Sequence, residues 1–210
     1  METLLDLYRQ ERERLRIFAE DAPRPGEYLS PVFGEGPLSP RLMFIGEAPG
    51  AEEAKSGHPF VGKAGKQLDA LLQAASINRA EIFVTNTVKY RPVNIKSGRS
   101  ANRTPAPEEL RTGLALLEKE LALVKPQIVA TLGNTPLKAI LLLSGCKPLT
   151  IGEAHGKILP LALPHGKARL FPLYHPASVI YNRSLAETLE ADMKRLGNIL
   201  TQQEGMKNER

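Results

Sequence analysis

The residues that could do chemistry are concentrated after the first strongly apolar stretch of the sequence. Phe44 to Leu68 reads FIGEAPGAEEAKSGHPFVGKAGKQL, in which glycines and prolines are interspersed with the carboxylates Glu47, Glu52 and Glu53. Glycine lets the backbone approach a ligand closely, and a carboxylate can activate water or stabilise a positive charge. Phe60 in the same stretch is either a core residue or an aromatic surface on which a flat ligand stacks.

Further polar residues follow other apolar stretches. Asn86 ends the run EIFVTN, Lys89 and Arg91 come shortly after it, and His175 follows the run ARLFPLY. Taken singly, each has an ordinary structural interpretation: the amide could bind loop backbone groups, the histidine could be packed, and the two cations could be solvated. Their common position after apolar runs favours a shared site.

Four short apolar runs predict strands at Arg41–Ile45, Glu81–Asn86, Gln127–Leu132 and Ala168–Tyr174. Helix-like patterns separate and follow these runs, at Ala64–Ser76, Pro107–Val124, Asn134–Gly145 and from Ser184 onward. Near-continuous apolar strands alternating with helices indicate a mostly parallel sheet covered on both faces. Because ligands bind at the carboxyl ends of the strands in such sheets, the polar residues above are expected to meet at one edge.

Two segments depart from this alternation. KILPLALPHGKARLFPLY has two apolar runs around a turn-like PHGK, which predicts an antiparallel hairpin that ends in the last strand. Asn94–Thr104 is basic and polar, which predicts a long mobile loop. We expect one domain over residues 1–210, with an N-terminal helix at about 1–20 and a frayed polar tail at about 201–210.

Composition restricts the class of protein and of partner. The net charge of +5 and the isoelectric point near 9.3 weakly favour a polyanionic partner. Cys146 is the one cysteine, so an intramolecular disulfide is impossible, and a reducing cytoplasm is expected. The charged N-terminus does not read as a signal peptide, and no apolar run reaches the roughly 18 residues of a membrane span. We expect a cytoplasmic monomer that does not bind membranes.

Five motifs together resemble the uracil-DNA glycosylase superfamily, and its family 4 branch above all. They are GEAPGAEEAKSGHPFVGKAGKQLDALL, VTNTVKYRP, NRTPAPEEL, LGNTPLKAIL and YHPASVIYNRSL, and they occur in the family's order between about Arg41 and Leu200. The resemblance implies a three-layer α/β/α sandwich with a central four-stranded parallel sheet. It also implies a DNA repair enzyme that flips uracil out of DNA and hydrolyses its N-glycosidic bond, leaving an abasic site.

The resemblance also assigns roles to residues of the pocket. Phe60 would stack on the flipped base, Asn86 would read its Watson–Crick edge, and His175 would donate a hydrogen bond to O2 of the departing uracil. Family 1 members carry an Asp where this chain has Ala48, so a carboxylate must come from elsewhere. Glu53 is the first candidate and Glu47 the second, for activating water or for excluding thymine. The turn from Gly46 to Gly50, Ala48 included, would add backbone contacts to the substrate.

Contacts to DNA are expected from cations and from one loop. The segment HPASVIYN resembles the family's loop that inserts into the duplex, with Val179 and Ile180 as an apolar wedge. The predicted DNA-binding residues are Lys63, Lys89, Arg91, Arg99, Arg103, Ser178, Val179 and Ile180.

The chain departs from family 4 in one respect. Members of that branch usually hold a 4Fe–4S cluster on four cysteines, one of which precedes the Arg-Pro of the second motif, where this chain has Tyr90. Cys146 alone cannot supply four thiolates. The sequence therefore predicts no cofactor and no metal, with Tyr90 filling the space by packing.

Three other interpretations remain open from the sequence. The chain could be a nucleic-acid-binding member of the superfamily with weakened catalysis, as the missing cluster cysteines would suggest. It could be a nucleotide or phosphoester hydrolase that uses the glycine-rich loop. It could also belong to the sister branch that becomes covalently trapped on the abasic product, although the basic segment Asn94–Thr104 lacks the histidine of that branch.

Overall fold

The computed structural model describes residues 2–21, 30–97 and 99–208 of the chain. The helices in these ranges are α1 (Leu4–Asp21), α2 (Ala51–Ser56), α3 (Lys63–Ala74), α4 (Pro107–Val124), α5 (Asn134–Leu143), α6 (Ile151–Ala154), α7 (Ser178–Tyr181) and α8 (Leu185–Asn208). The strands are β1 (Leu42–Gly46), β2 (Phe83–Asn86), β3 (Val93–Lys96), β4 (Arg99–Asn102), β5 (Ile128–Leu132), β6 (Leu159–Leu163) and β7 (Gly166–Leu173).

Within the described residues, the main sheet has five strands in the order β2-β1-β5-β7-β6. Strands β2, β1, β5 and β7 run parallel to one another, and β6 pairs antiparallel with β7 at the edge. The four-stranded parallel sheet is confirmed, and so is the hairpin, which adds a fifth, antiparallel strand. Strand β1 has β2 on one side and β5 on the other, so the order of the strands reverses at β1. Ligands of open α/β sheets bind in the crevice that such a reversal leaves at the carboxyl ends of the strands.

Alternating side chains of the parallel strands build two apolar cores. Met43 and Ile45 of β1 belong to a cluster that includes α4 and α5. Leu42 and Phe44 of the same strand belong to a second cluster that includes α3 and α8. A strand buried on both faces explains the uninterrupted apolar run, and helices on both faces confirm the three-layer sandwich.

The segment predicted as a mobile loop folds differently. Strands β3 and β4 pair antiparallel from Val93–Asn102 to Lys96–Arg99 and so form a hairpin. Ser97 has a φ of 49°, in the left-handed region that hairpin turns favour. The prediction of a loop over Asn94–Thr104 is therefore wrong over 94–96 and 99–102, which are strand.

The ends of the chain are helical where they are described. Helix α1 packs against α4, and α8 extends to Asn208, into the region predicted as a polar tail. No helix in the described ranges is long and apolar enough to cross a membrane.

Candidate active site

A cavity of about 410 Å³ lies where the turns after β1, β2 and β7 meet. Its lining includes Phe60 from the turn before α3, Asn86 from the end of β2 and His175 from the turn after β7. The structure thus brings together these three residues, which are 26 and 89 positions apart in sequence, at the carboxyl edge of the sheet. The expected convergence of these residues at one edge of the sheet is confirmed.

Phe60 is a buried pocket wall in a strained backbone conformation. Its φ is 57°, which is rare for a residue with a side chain. Helix α3 approaches so closely that a Cβ on Gly65 would lie 1.8 Å from the Phe60 carbonyl oxygen. Strain of this kind persists where the surrounding structure fixes it, and such residues cluster at functional sites.

Asn86 is 3% exposed and ends β2 beside Gly46 of β1. A Cβ built on Gly46 would lie 2.3 Å from Asn86 Oδ1 and 2.7 Å from Phe60 Cζ. A side chain at position 46 would therefore displace both the amide and the ring. The first glycine of the GEAPG turn is needed because the two pocket side chains close over its Cα.

His175 is held as a neutral hydrogen-bond donor. Its Nδ1 accepts the backbone N–H of Ala177 at 3.1 Å, which leaves the proton on Nε2 in the neutral ring. Burial lowers the pKa of His175 below its ordinary value, because removal from water disfavours the charged ring. The Ser178 hydroxyl donates to the His175 carbonyl at 2.6 Å, which tightens the same turn.

Glu53 joins two walls of the pocket. Its Oε1 accepts the N–H of Gly62 at 2.7 Å, and its Oε2 accepts the N–H of Gly50 at 3.1 Å. Glu53 is the third residue of α2, and a carboxylate at that position commonly reaches back to the residue that caps the helix. Since both oxygens are engaged and the residue is 8% exposed, the geometry favours a clamp over a base for water.

Glu47 occupies a different environment. It is half-buried in the turn after β1, and its Oε2 accepts the hydroxyl of Thr135 at 2.5 Å. Thr135 lies in the first turn of α5. The lining of the cavity, over the described residues, includes the neighbouring Ala48 but not Glu47.

The hairpin contributes a pocket residue that sequence reasoning missed. Asn102, at the end of β4, lines the cavity, and its Oδ1 accepts Arg91 Nε at 2.7 Å. With Oδ1 bound by Arg91, the amide nitrogen of Asn102 faces Gly50. A Cβ built on Gly50 would lie 3.7 Å from that nitrogen. The dipeptide Ser97-Gly98 was the available signal, because Ser-Gly pairs mark turns.

The predicted DNA-binding cations fall into three environments. Lys63 and Arg99 are exposed, and Lys63 lines the mouth of the cavity. Arg103 binds the carboxylate of Glu109 through both terminal nitrogens, at 2.6 and 2.8 Å, so this guanidinium holds the hairpin to α4. The prediction for Lys89 is wrong, because its ammonium is buried.

The loop predicted to insert into DNA forms α7. Val179 is half-buried and packs against the core cluster of α3 and α8, so it does not project as a wedge. Ser178 is engaged with the His175 carbonyl, as described above. The side chain of Ile180 lies outside the part of the structure that can be described.

The residues present do not fit an iron–sulfur cluster. The chain has one cysteine, and Cys146 is exposed. Tyr90, which stands where the family motif has a cysteine, is buried in a small cluster with Leu15 of α1 and Val88. Across the described ranges, no group of three or more His, Cys, Asp or Glu side chains could hold a metal ion.

Comparisons with known proteins agree with this geometry. A family model of the Uracil DNA glycosylase superfamily matches residues 33–197. Proteins named type-4 uracil-DNA glycosylase are similar to the chain: that of Archaeoglobus fulgidus is 34% identical over 80% of this chain and 81% of its own. That of Sulfurisphaera tokodaii is 36% identical over 79% and 72%, and that of Thermotoga maritima is 38% identical over 73% of each chain.

Proposed function

Because the chain belongs to the uracil-DNA glycosylase superfamily, we propose that the cavity after β1, β2 and β7 binds a uracil flipped out of DNA. The chain is a uracil-DNA glycosylase that acts in DNA repair. The reaction hydrolyses the bond between N1 of uracil and C1′ of deoxyribose. Water supplies a hydroxyl to C1′, the released base gains a proton, and an abasic site remains.

The observation that carries the proposal is the convergence of a flat ring, a buried amide and a neutral imidazole in one cavity. A base inside a duplex is out of reach, so the nucleotide must leave the stack at a cost of a few kcal/mol. Stacking on Phe60 offsets part of that cost, since base–aromatic stacking contributes about 1–3 kcal/mol.

Asn86 selects the base by hydrogen-bond complementarity. Uracil presents an N3–H donor and an O4 acceptor, and a carboxamide held in one orientation matches both groups. Cytosine presents an acceptor and a donor at the same positions, so the same amide would meet it with like groups. Asn86 is 3% exposed and its amide packs against Gly46, which restricts the space in which the amide can turn.

His175 stabilises the departing base. As the N1–C1′ bond breaks, negative charge develops on uracil, and Nε2–H of the neutral ring is positioned to donate to O2. A donor that acts only as charge develops lowers the barrier without tightening ground-state binding.

The two carboxylates act differently in this proposal. Glu53 positions the Gly50 and Gly62 turns through its two backbone hydrogen bonds. Glu47 lies next to Ala48 of the cavity lining and has one oxygen bound by Thr135, and we assign it to orienting water at the cavity edge or to stabilising positive charge on the sugar. This reverses the order expected from the sequence.

DNA is gripped around the mouth of the cavity by Lys63, Arg91 and Arg99. The excess positive charge of the chain supports a polyanionic partner. We further propose a monomer of one domain, located in the cytoplasm, which its single cysteine supports.

The test is incubation of the purified chain with DNA that contains one uracil, followed by detection of free uracil and of alkali-labile abasic sites. We expect both products in equal amounts, with and without a chelator. Binding without release of uracil would indicate a member that lacks catalysis. Strand cleavage that a chelator abolishes, without free uracil, would indicate a phosphoester hydrolase. A DNA adduct that survives denaturation would indicate the covalently trapped branch.

A further inference from the structure

A buried ion pair lies directly behind the pocket. The ammonium of Lys89 is 2.6 Å from Oε2 of Glu120 in α4, and these residues are 2% and 0% exposed. Burial lowers the pKa of Lys89, and the facing carboxylate opposes that shift. The pair thus ties the segment after β2 to the helix that covers it.

Each N–H of the Lys89 ammonium has an acceptor. Besides Glu120, Nζ donates to Thr85 Oγ1 at 2.7 Å and to the backbone carbonyl of Asn86 at 2.5 Å. An ammonium carries three donors, so its hydrogen-bonding capacity is used completely. One of those three bonds ends on the residue that we assign to reading the base.

Glu120 is equally well bound. It accepts the hydroxyl of Tyr8 in α1 and the hydroxyl of Thr85, at 3.2 Å for the latter. Burial raises the pKa of Tyr8, which keeps its hydroxyl protonated as a donor. The cluster of Tyr8, Thr85, Lys89 and Glu120 therefore joins α1, β2 and α4.

The backbone beside Asn86 is fixed from other directions too. Thr87 donates both its N–H, at 2.8 Å, and its hydroxyl, at 3.0 Å, to the carbonyl of Gly46. Helix α4 approaches the same residue so closely that a Cβ on Gly113 would lie 2.4 Å from the Thr87 carbonyl oxygen. The hydrogen bond from Lys89 adds a charged donor to the backbone carbonyl of Asn86, whose side chain lines the pocket.

Stability alone is a weak reason for such a cluster. Replacing a buried ion pair with uncharged residues of similar shape is often neutral or stabilising, whereas removing one partner is strongly destabilising. We propose that Lys89 is a positioning residue, which holds the backbone of Asn86 so that its amide meets uracil in one orientation. This inference rests on the proposed function of the cavity.

The test compares two changes within the same cluster. Lys89→Met combined with Glu120→Gln removes both charges, keeps an acceptor for Tyr8 and deletes the bond to the Asn86 carbonyl. Tyr8→Phe weakens the cluster without touching that bond. For each variant we would measure thermal unfolding, single-turnover release of uracil, and affinity for DNA that already carries an abasic site.

We expect the double variant to fold, to bind abasic DNA like the wild type, and to release uracil roughly 10- to 100-fold more slowly, since small misplacements cost up to about that much. Tyr8→Phe should unfold at a lower temperature but release uracil within about twofold of the wild-type rate. A folded double variant with the wild-type rate would overturn the inference. So would parallel losses of rate and of abasic-DNA affinity.

A further variant covers failure of the double variant to fold. Glu120→Gln alone keeps the hydrogen bond from Lys89 to the Asn86 carbonyl. We therefore expect this variant to unfold at a lower temperature, while its folded fraction releases uracil at nearly the wild-type rate. A large loss of rate in folded Glu120→Gln protein would contradict it. If the wild type released no uracil in the same assay, the proposed function would fail instead, so the two failures are distinguishable.

Discussion

His175 is set up as a hydrogen-bond donor by the turn in which it lies. Its Nδ1 is occupied by the Ala177 N–H, and burial keeps the ring neutral. Loss of a donor that acts on developing negative charge typically slows the chemical step about 100- to 1000-fold. We expect His175→Ala to lose that much in single-turnover release of uracil, with DNA affinity nearly unchanged. A variant that kept most of the rate would remove His175 from the mechanism.

The lowered pKa of His175 has a consequence for stability. Above the unfolded pKa of about 6.5 the ring is neutral in both the folded and the unfolded chain, so it has no effect on stability there. Below that pH the unfolded chain binds the proton more readily than the folded protein. Stability should fall as the pH drops from there through the lower folded pKa. Titration of the ring by NMR, with His175→Gln to assign the signal, should give a pKa below 6.5. A value at or above 6.5 would contradict the assigned environment.

Glu47 and Glu53 differ in how their oxygens are engaged, which separates their roles by experiment. In Glu53→Gln an amide N–H would face the N–H of Gly50 or Gly62, so we expect a lower unfolding temperature together with slower cleavage. Glu47→Gln can still accept from Thr135, so we expect slower single-turnover cleavage at unchanged stability.

The comparison of the two glutamine variants also tests base selection. If either variant gained release of thymine, that carboxylate would guard the pocket against the thymine methyl group. If Glu53→Gln kept wild-type stability and lost rate, the clamp assignment would be wrong and Glu53 would return as the base for water.

At the scale of elements, the β3–β4 hairpin was the main feature that the sequence did not predict. The strand-forming alternation of apolar and polar residues is weak in VNIKSGRSAN, and its strand β4 is exposed throughout. What holds the hairpin is a contact with α4, in which Arg103 binds Glu109 and the carbonyl of Val93. Such a contact depends on tertiary structure, so local pattern could not reveal it.

The hairpin should contribute to DNA affinity through Arg99. Each phosphate contact adds about −0.9 to the slope of log affinity against log salt on duplex DNA. We expect Arg99→Ala to weaken binding and to reduce the slope by about that amount. Arg9→Ala, which removes an exposed cation from α1, is the matched control and should leave the slope unchanged. An equal effect of both variants would indicate general charge rather than a contact of the hairpin.

At the scale of the whole molecule, the sequence was sufficient to predict the four parallel strands, the longer helices and the sheet edge at which the candidate residues meet. Continuous apolar runs placed β1, β2, β5 and β7 within about two residues of their observed bounds. Lys89 was misassigned because its ion-pair partner Glu120, which also accepts the Tyr8 hydroxyl, is distant in sequence and comes close only in the folded chain. Side-chain environments of this kind are set by packing between elements, which periodicity does not encode.

The central claim is that Asn86 reads uracil in the cavity, and single-turnover release of uracil by Asn86 variants tests it most directly. We expect Asn86→Ala to fold and to lose most of the rate, and Asn86→Asp to be impaired because a carboxylate lacks the N–H donor to O4. Affinity for abasic DNA should persist in both variants. Wild-type release of uracil by folded Asn86→Ala would contradict the account.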